Sequence, residues 1–190
     1  MTEPVKIKWH QIFAAMLREQ LQQVMITVID ELPVTGEIDV VLLQRLINSR
    51  TWTAQQRQAL PDGIRDSLAR HFLLEVKITE SFSREVVEQA LGYDIFYRRK
   101  PDIAQLPASA VASFIICAKT PRRQTLAQFG YEPTQWAGIY QSNKLFLERI
   151  NLMVLNELSP QPHNVFFKLF ANQLVSLSAS QRSAKNLIPD

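Results

Sequence analysis

In the run HFLLEVKIT, Glu75-Val76-Lys77 sets a carboxylate and an ammonium two positions apart. Residues i and i+2 of an extended strand share a face, about 6.5 to 7 Å apart along the backbone, so one acid and one base point the same way. Asp39 stands in GEIDVVLL among apolar Ile38, Val40, Val41, Leu42 and Leu43, where a charge wants a reason. If the two strands are neighbours, Asp39, Glu75 and Lys77 converge at one end of a sheet. Two carboxylates are the usual protein share of a Mg²⁺ shell, with Mn²⁺ as the alternative ion. A metal held by Asp39 and Glu75 would stabilise charge developing on a phosphate and lower the pKa of an attacking water. Lys77 would orient or deprotonate that water, or stabilise the phosphate. The bland reading is an exposed face on which Glu37, Asp39, Glu75 and Lys77 are hydrated or paired.

Little else in the chain competes for chemistry. There is no Gly-rich phosphate loop, no nucleophile elbow and no Cys/His arrangement. The single cysteine, Cys117, excludes an internal disulfide framework and reads as buried and inert within SFIICA. His10, His71 and His163 lie far apart without metal-ligand spacing. The 190 residues carry 21 Lys+Arg against 18 Asp+Glu, a net +3 too small to announce a nucleic-acid partner by bulk charge. Binding of that kind must come from local clusters. With 46% hydrophobic and 21% charged residues the chain should bury a core as one domain over 1–190. No apolar run approaches a membrane span and MTEPVKIKWH lacks a signal-peptide core, so the expectation is a cytoplasmic protein with no membrane partner.

The elements that must position these residues follow from periodicity. Trp9, Ile12, Phe13, Met16, Leu17 and Leu21 fall at helical spacing. VMITVIDEL over 24–32 reads as a strand stopped by Pro33-Val34-Thr35-Gly36. GEIDVVLLQR reads as its hairpin partner, with Ile38, Val40 and Leu42 facing one way and Glu37, Asp39, Val41 and Leu43 the other. Residues 46–70 look like an insertion or surface excursion, with TAQQRQAL and DSLAR of helix-like composition. A strand follows at 71–79, with Phe72, Leu74, Val76 and Ile78 on one face and Leu73, Glu75, Lys77 and Thr79 on the other. Ser83 is set to cap a helix through REVVEQALGYDIFYRRK. AVASFIICAKTP and RINLMVLNEL are further strands, 122–143 resists assignment, and NVFFKLFANQLVSL is an amphipathic helix before a tail that frays from about 178. The order is that of an α/β fold with a mixed central sheet flanked by helices.

Those residues, in that order, resemble the PD-(D/E)XK nuclease superfamily, and the later elements resemble its recombination-promoting and transposase-like members. The resemblance spans roughly residues 9 to 120 and implies a restriction-endonuclease-like core. The matching positions are Glu19 in the first helix, Asp39, the pair Glu75 and Lys77, and the following helix. Branches of the superfamily carry a Gln and a Tyr four residues apart there, as Gln89 and Tyr93 stand here, on one helix face. By this resemblance Glu19 acts in metal or water positioning, and Gln89 and Tyr93 in substrate binding. Asp62, in the literal Pro61-Asp62, is a second candidate for the motif aspartate. Asp39 is preferred, because Asp62 sits between Pro61 and Gly63 where no strand pattern is visible and reads as a turn or cap residue.

Substrate contacts would come from Arg98-Arg99-Lys100 after that helix, or from Lys119 with Arg122-Arg123 after the next strand. Trp52, Trp136 and Tyr140 are candidates for base stacking or for the core. The leading expectation is Mg²⁺-dependent hydrolysis of DNA phosphodiester bonds, by a homodimer that pools basic surface or with a partner that delivers substrate. The rival is an inactive scaffold or regulator that keeps the fold to bind DNA or protein. A third reading is an α/β domain with an apolar small-molecule pocket elsewhere.

Overall fold

The computed structural model describes residues 9–29, 40–45 and 51–171. Seven strands lie among them: β1 (Thr27–Ile29), β2 (Val40–Gln44), β3 (His71–Lys77), β4 (Val111–Cys117), β5 (Tyr131–Pro133), β6 (Ile139–Ser142) and β7 (Ile150–Val154). They form one sheet in the order β1-β2-β3-β4-β7-β6-β5. The middle three, β3, β4 and β7, are parallel, while β1 and β2 on one side and β6 and β5 on the other pair antiparallel. Helices α1 (Trp9–Gln22), α2 (Ala54–Ala59), α3 (Arg84–Arg98), α4 (Pro101–Ala104), α5 (Arg123–Gln128) and α6 (165–171) complete the described chain. The fold is α/β with a mixed sheet flanked by helices. None of the described helices is long and apolar enough to cross a membrane.

Strand alternation divides the core into two sides. On one side Val41, Leu43, Phe72, Leu74, Val76, Phe114 and Ile116 meet α1, the 51–70 segment and α6. Phe13 of α1 anchors this layer, with ring centroids 4.8 Å from Phe170 and 5.6 Å from Phe167. Such tilted pairs add about 0.5–1.5 kcal/mol each beyond burial itself. On the other side α3 covers two smaller clusters. One gathers Val40, Leu42, Leu73, Tyr97 and Val111, the other Val86, Val87, Ala90, Ile115, Cys117 and Val154. Glu75 and Lys77 share the parity of Leu73 and therefore belong to this α3 side.

Local signals placed α3 well. The Ser83 side chain accepts from the Val86 N–H, as an N-cap does, and Pro101 starts α4 just beyond. Elsewhere long-range packing overrode local expectation. In α1 the buried stripe is Phe13, Ala14, Leu17 and Leu21, whereas Ile12 and Met16 are exposed. The strand expected over 24–32 is β1 alone within the described residues, because Val24 and Met25 form a turn with Met25 at φ 57°.

Residues 51–70 are no surface excursion: Trp52, Leu60, Ile64 and Ala69 are buried in the α1-side core. TAQQRQAL does form α2, started by a capping box between Thr53 and Gln56, but DSLAR is turn and coil. The unassigned stretch 122–143 holds α5, β5 and β6. In α6 Phe167 and Phe170 are buried as expected, while Leu169 is exposed. Residues 46–50, the turn at 33–36 and the tail from 178 lie outside the described residues.

Candidate functional site

β3 is the first of the three parallel strands in the sheet's middle, and its carboxyl end carries charge. Parallel central strands covered on both faces are normally apolar throughout. Here Glu75 is 2% exposed and Lys77 is 5% exposed, with Lys77 Nζ 2.8 Å from Glu75 Oε1. Glu75 stands opposite Val40 of β2 and Ile115 of β4, and Lys77 beside Cys117. Lys77 Nζ also lies 3.3 Å from Glu80 Oε2, and Glu80 is 55% exposed. Burial disfavours the Lys77 ammonium, but the Glu75 and Glu80 carboxylates outweigh that and hold its pKa above the ordinary lysine value. Lys77 is thus a charged group at rest.

Glu80 opens the buried pair to a cleft of ≈ 390 Å³. The cleft runs between Glu80, Ser81 and Phe82 after β3 and Lys119, Thr120, Pro121, Arg122 and Thr125 after β4. It therefore sits at the carboxyl ends of two adjacent parallel strands, the common place for ligands in open α/β sheets. Neither Glu80 nor this cleft was evident in the sequence. The one available signal was the spacing of Glu80, three residues after Lys77 and beyond the strand.

Asp39, the expected partner of Glu75, lies outside the described residues. Its chain neighbour Val40 pairs directly with Glu75. Val40 and Leu42 are on the Glu75 side of the sheet, and Val41 and Leu43, whose parity Asp39 shares in the sequence, are on the other. Among the described residues, no three His, Cys, Asp or Glu side chains are grouped to hold a metal ion.

The remaining candidates fall in several places. Glu19 is on the exposed side of α1, which packs on the sheet face opposite Glu75 and Lys77, so the structure does not bring it to the pair. Gln89 Nε2 donates to Tyr93 Oη at 2.7 Å on α3, and Tyr93 packs against the cluster of Val40 and Leu73. These two share the α3 side of the sheet with the pair. Arg98 is at the other end. Its Nε meets both Asp94 carboxylate oxygens at 2.9 Å, and its Nη1 and Nη2 donate to the Ala108 and Val111 carbonyls. Val111 starts β4 while Cys117 ends it beside Lys77, a separation of about 20 Å along the strand. Arg98 is spent on internal structure, which corrects its expected role as a substrate contact. Arg99, exposed at the C-cap of α3, and Lys100 share that far end.

Asp62 is a buried structural carboxylate. It accepts from His163 Nε2 at 2.7 Å, Ser159 Oγ at 2.9 Å and Asn164 Nδ2 at 2.8 Å, and its own N–H donates to Asn164 Oδ1. Burial works against its charge, but the hydrogen bonds from Asn164, His163 and Ser159 prevail and hold it below the ordinary carboxylate range. Ser159 donates to the acid directly instead of through His163, so the three do not form a nucleophilic triad. Cys117 is buried, which pushes its thiol up to about 12 and leaves no thiolate for chemistry. Trp52 is core, its Nε1 donating to the Ile64 carbonyl. Trp136 packs at the core's edge, and Tyr140 donates to Glu157 at 2.5 Å. Compared with protein-family models, with curated proteins and with solved structures, the chain matches none.

Proposed function

We propose that this protein is a metal-dependent nuclease of the restriction-endonuclease-like kind, hydrolysing DNA phosphodiester bonds at the carboxyl end of β3. The observation that carries the reading is the buried Glu75/Lys77 pair beside β2, opening through Glu80 to a cleft with basic walls. An acid and a lysine at this depth in an otherwise apolar strand cost desolvation, which a purely structural role could avoid with apolar residues.

The donor chemistry fits a hard cation such as Mg²⁺ or Mn²⁺ through the Glu75 carboxylate, with Asp39 as the second acid. Glu80 is the other acid close to Lys77. Bound there, the ion would supply Lewis-acid stabilisation of phosphoryl charge and an activated water. Lys77, charged at rest, is suited to orienting a water or countering phosphate charge and ill suited to removing a proton. Gln89 and Tyr93 hold each other on the flank of α3 and would position substrate.

The test is nicking of supercoiled DNA with Mg²⁺, with Mn²⁺ and with EDTA. Metal-dependent cutting should fall at least about 100-fold in Lys77→Ala, Glu75→Gln and Asp39→Ala, the scale expected for loss of a group that stabilises transition-state charge. Loss in Glu80→Ala with Asp39→Ala active would assign the second acid to Glu80. Equal activity in every variant would expose a contaminant and sink the reading. The scaffold reading draws on the two carboxylates that already satisfy the Lys77 ammonium. A folded protein that binds DNA and never cuts it would favour that alternative.

A further inference from the structure

We infer that the cleft between the β3–α3 and β4–α5 connections seats DNA backbone phosphate, through Lys119 and Arg122. The inference rests on DNA as the ligand but not on hydrolysis.

The first support is charge without a partner. Arg57, Arg84, Arg98 and Arg149 each pair with a carboxylate. Lys119, Arg122 and Arg123 are exposed, stand within five residues, and enter none of the ion pairs among the described residues. Three such cations repel one another, and a polyanion relieves that repulsion while releasing its own counterions. Glu75, Lys77 and Glu80 together leave a net −1 at the cleft wall, against +2 from Lys119 and Arg122, so the cleft stays net positive.

The second support is preorganisation. Pro121, buried between the two cations, fixes the backbone where Lys119 and Arg122 project. Asn156 Nδ2 donates to Thr120 Oγ1 at 3.2 Å, tying the same connection to the segment after β7. A connection held at both points loses little entropy on binding. The Ser81 and Thr125 hydroxyls line the opposing walls as further phosphate donors.

The third support is position. Lys119 lies two residues beyond Cys117, whose β3 neighbour is Lys77, so the cleft adjoins the buried pair. The basic run Arg98 to Lys100 has no such relation, since it occupies the other end of the strands.

Binding of a fluorescein-labelled DNA duplex to the full chain, read by anisotropy in EDTA over a salt series, separates binding from cutting. Lys119→Gln/Arg122→Gln should weaken binding about tenfold or more and make the log K against log salt slope shallower by about 1.8, near 0.9 per lost phosphate contact. Lys119→Glu/Arg122→Glu should weaken it further, with circular dichroism unchanged because both side chains are exposed. Arg57→Ala, on the α1 side of the sheet, should retain the wild-type slope. Wild-type affinity and slope in both double variants would overturn the inference, as would a wild-type protein that binds RNA of the same length in preference to the duplex. Wild-type binding in EDTA with no cutting in Mg²⁺ would remove the hydrolytic reading and leave the cleft standing.

Discussion

Two buried acids lie between the same sheet face and α3, one on the helix and one on the sheet, and are treated in different ways. Asp94 of α3, with 0% side-chain exposure, meets Arg98 Nε and Arg149 Nε at 2.9 Å and accepts from Ser113 Oγ at 2.7 Å. Its partners come from α3, β4 and the approach to β7, so one carboxylate bolts the helix to two strands. Arg98 then caps two carbonyls, which closes the network on itself. Glu75, at the other end of the strands, meets a lysine whose second partner is a half-exposed glutamate on a cleft. The Asp94 network runs out to two partly exposed arginines, and the Glu75 network to one glutamate that is 55% exposed. The Asp94 carboxylate ties a helix to two strands through three partners, whereas the Glu75 carboxylate shares one ammonium with a glutamate on a cleft wall.

That contrast is breakable. The largest effect on stability should come from Asp94→Ala, which strips the partner from two arginines and one serine at once. Loss of a buried hydrogen-bonded pair of this kind costs about 3–5 kcal/mol, measurable by urea denaturation. Glu75→Leu with Lys77→Met should behave otherwise, leaving stability unchanged or raising it by about 1–4 kcal/mol, because the apolar replacements no longer require desolvation of two charges. Any nuclease activity should vanish in that double variant. A loss as large as that of Asp94→Ala would show that both networks are structural and erase the distinction.

The pH dependence sharpens the comparison at both ends of the scale. Lys77 has a raised folded pKa, so its contribution to stability is fully present below the unfolded value of 10.5 and is lost as pH rises through the folded value. The Glu75→Leu/Lys77→Met protein should lack that alkaline decline in urea titrations. Asp62 has a lowered folded pKa, so its contribution is present above the unfolded value of 3.8 and disappears as pH falls through the lower folded value. Asp62→Asn should cost about 1–3 kcal/mol at neutral pH, the scale of hydrogen bonds to a charged group, and flatten the acid limb. An unchanged acid limb would take Asp62 out of the pH response.

The smallest effect is expected between the two networks. Gly92 lies in α3 midway from Ser83 to Arg98, and a Cβ there would meet nothing within 4 Å. Gly92→Ala should stabilise the helix by about 0.5–1 kcal/mol, read as a small rise in melting temperature. Neither the DNA salt slope nor the alkaline limb should move with it.

The sequence by itself determined whatever depends on near neighbours. The alternation HFLLEVK put Glu75 and Lys77 on one face, because successive strand residues must point apart, and β3 retains that arrangement. Ser83 could be read as the cap of α3 because a cap acts on an N–H three residues away. The α/β order of elements was legible for the same reason. Tertiary structure alone decided the rest. Glu19 stands apart from the pair because α1 packs on the opposite face of the sheet, against the aromatic layer of Phe13, Phe167 and Phe170. Arg98 turns from candidate substrate contact to internal brace because Asp94, Ala108 and Val111 surround it in the fold. Asp62 finds its partners about a hundred residues along the chain, at Ser159, His163 and Asn164. Periodicity specifies which way a side chain points relative to its neighbours. Which distant charges and carbonyls come to stand opposite it is set by how whole layers bury their apolar faces, and no local spacing encodes that.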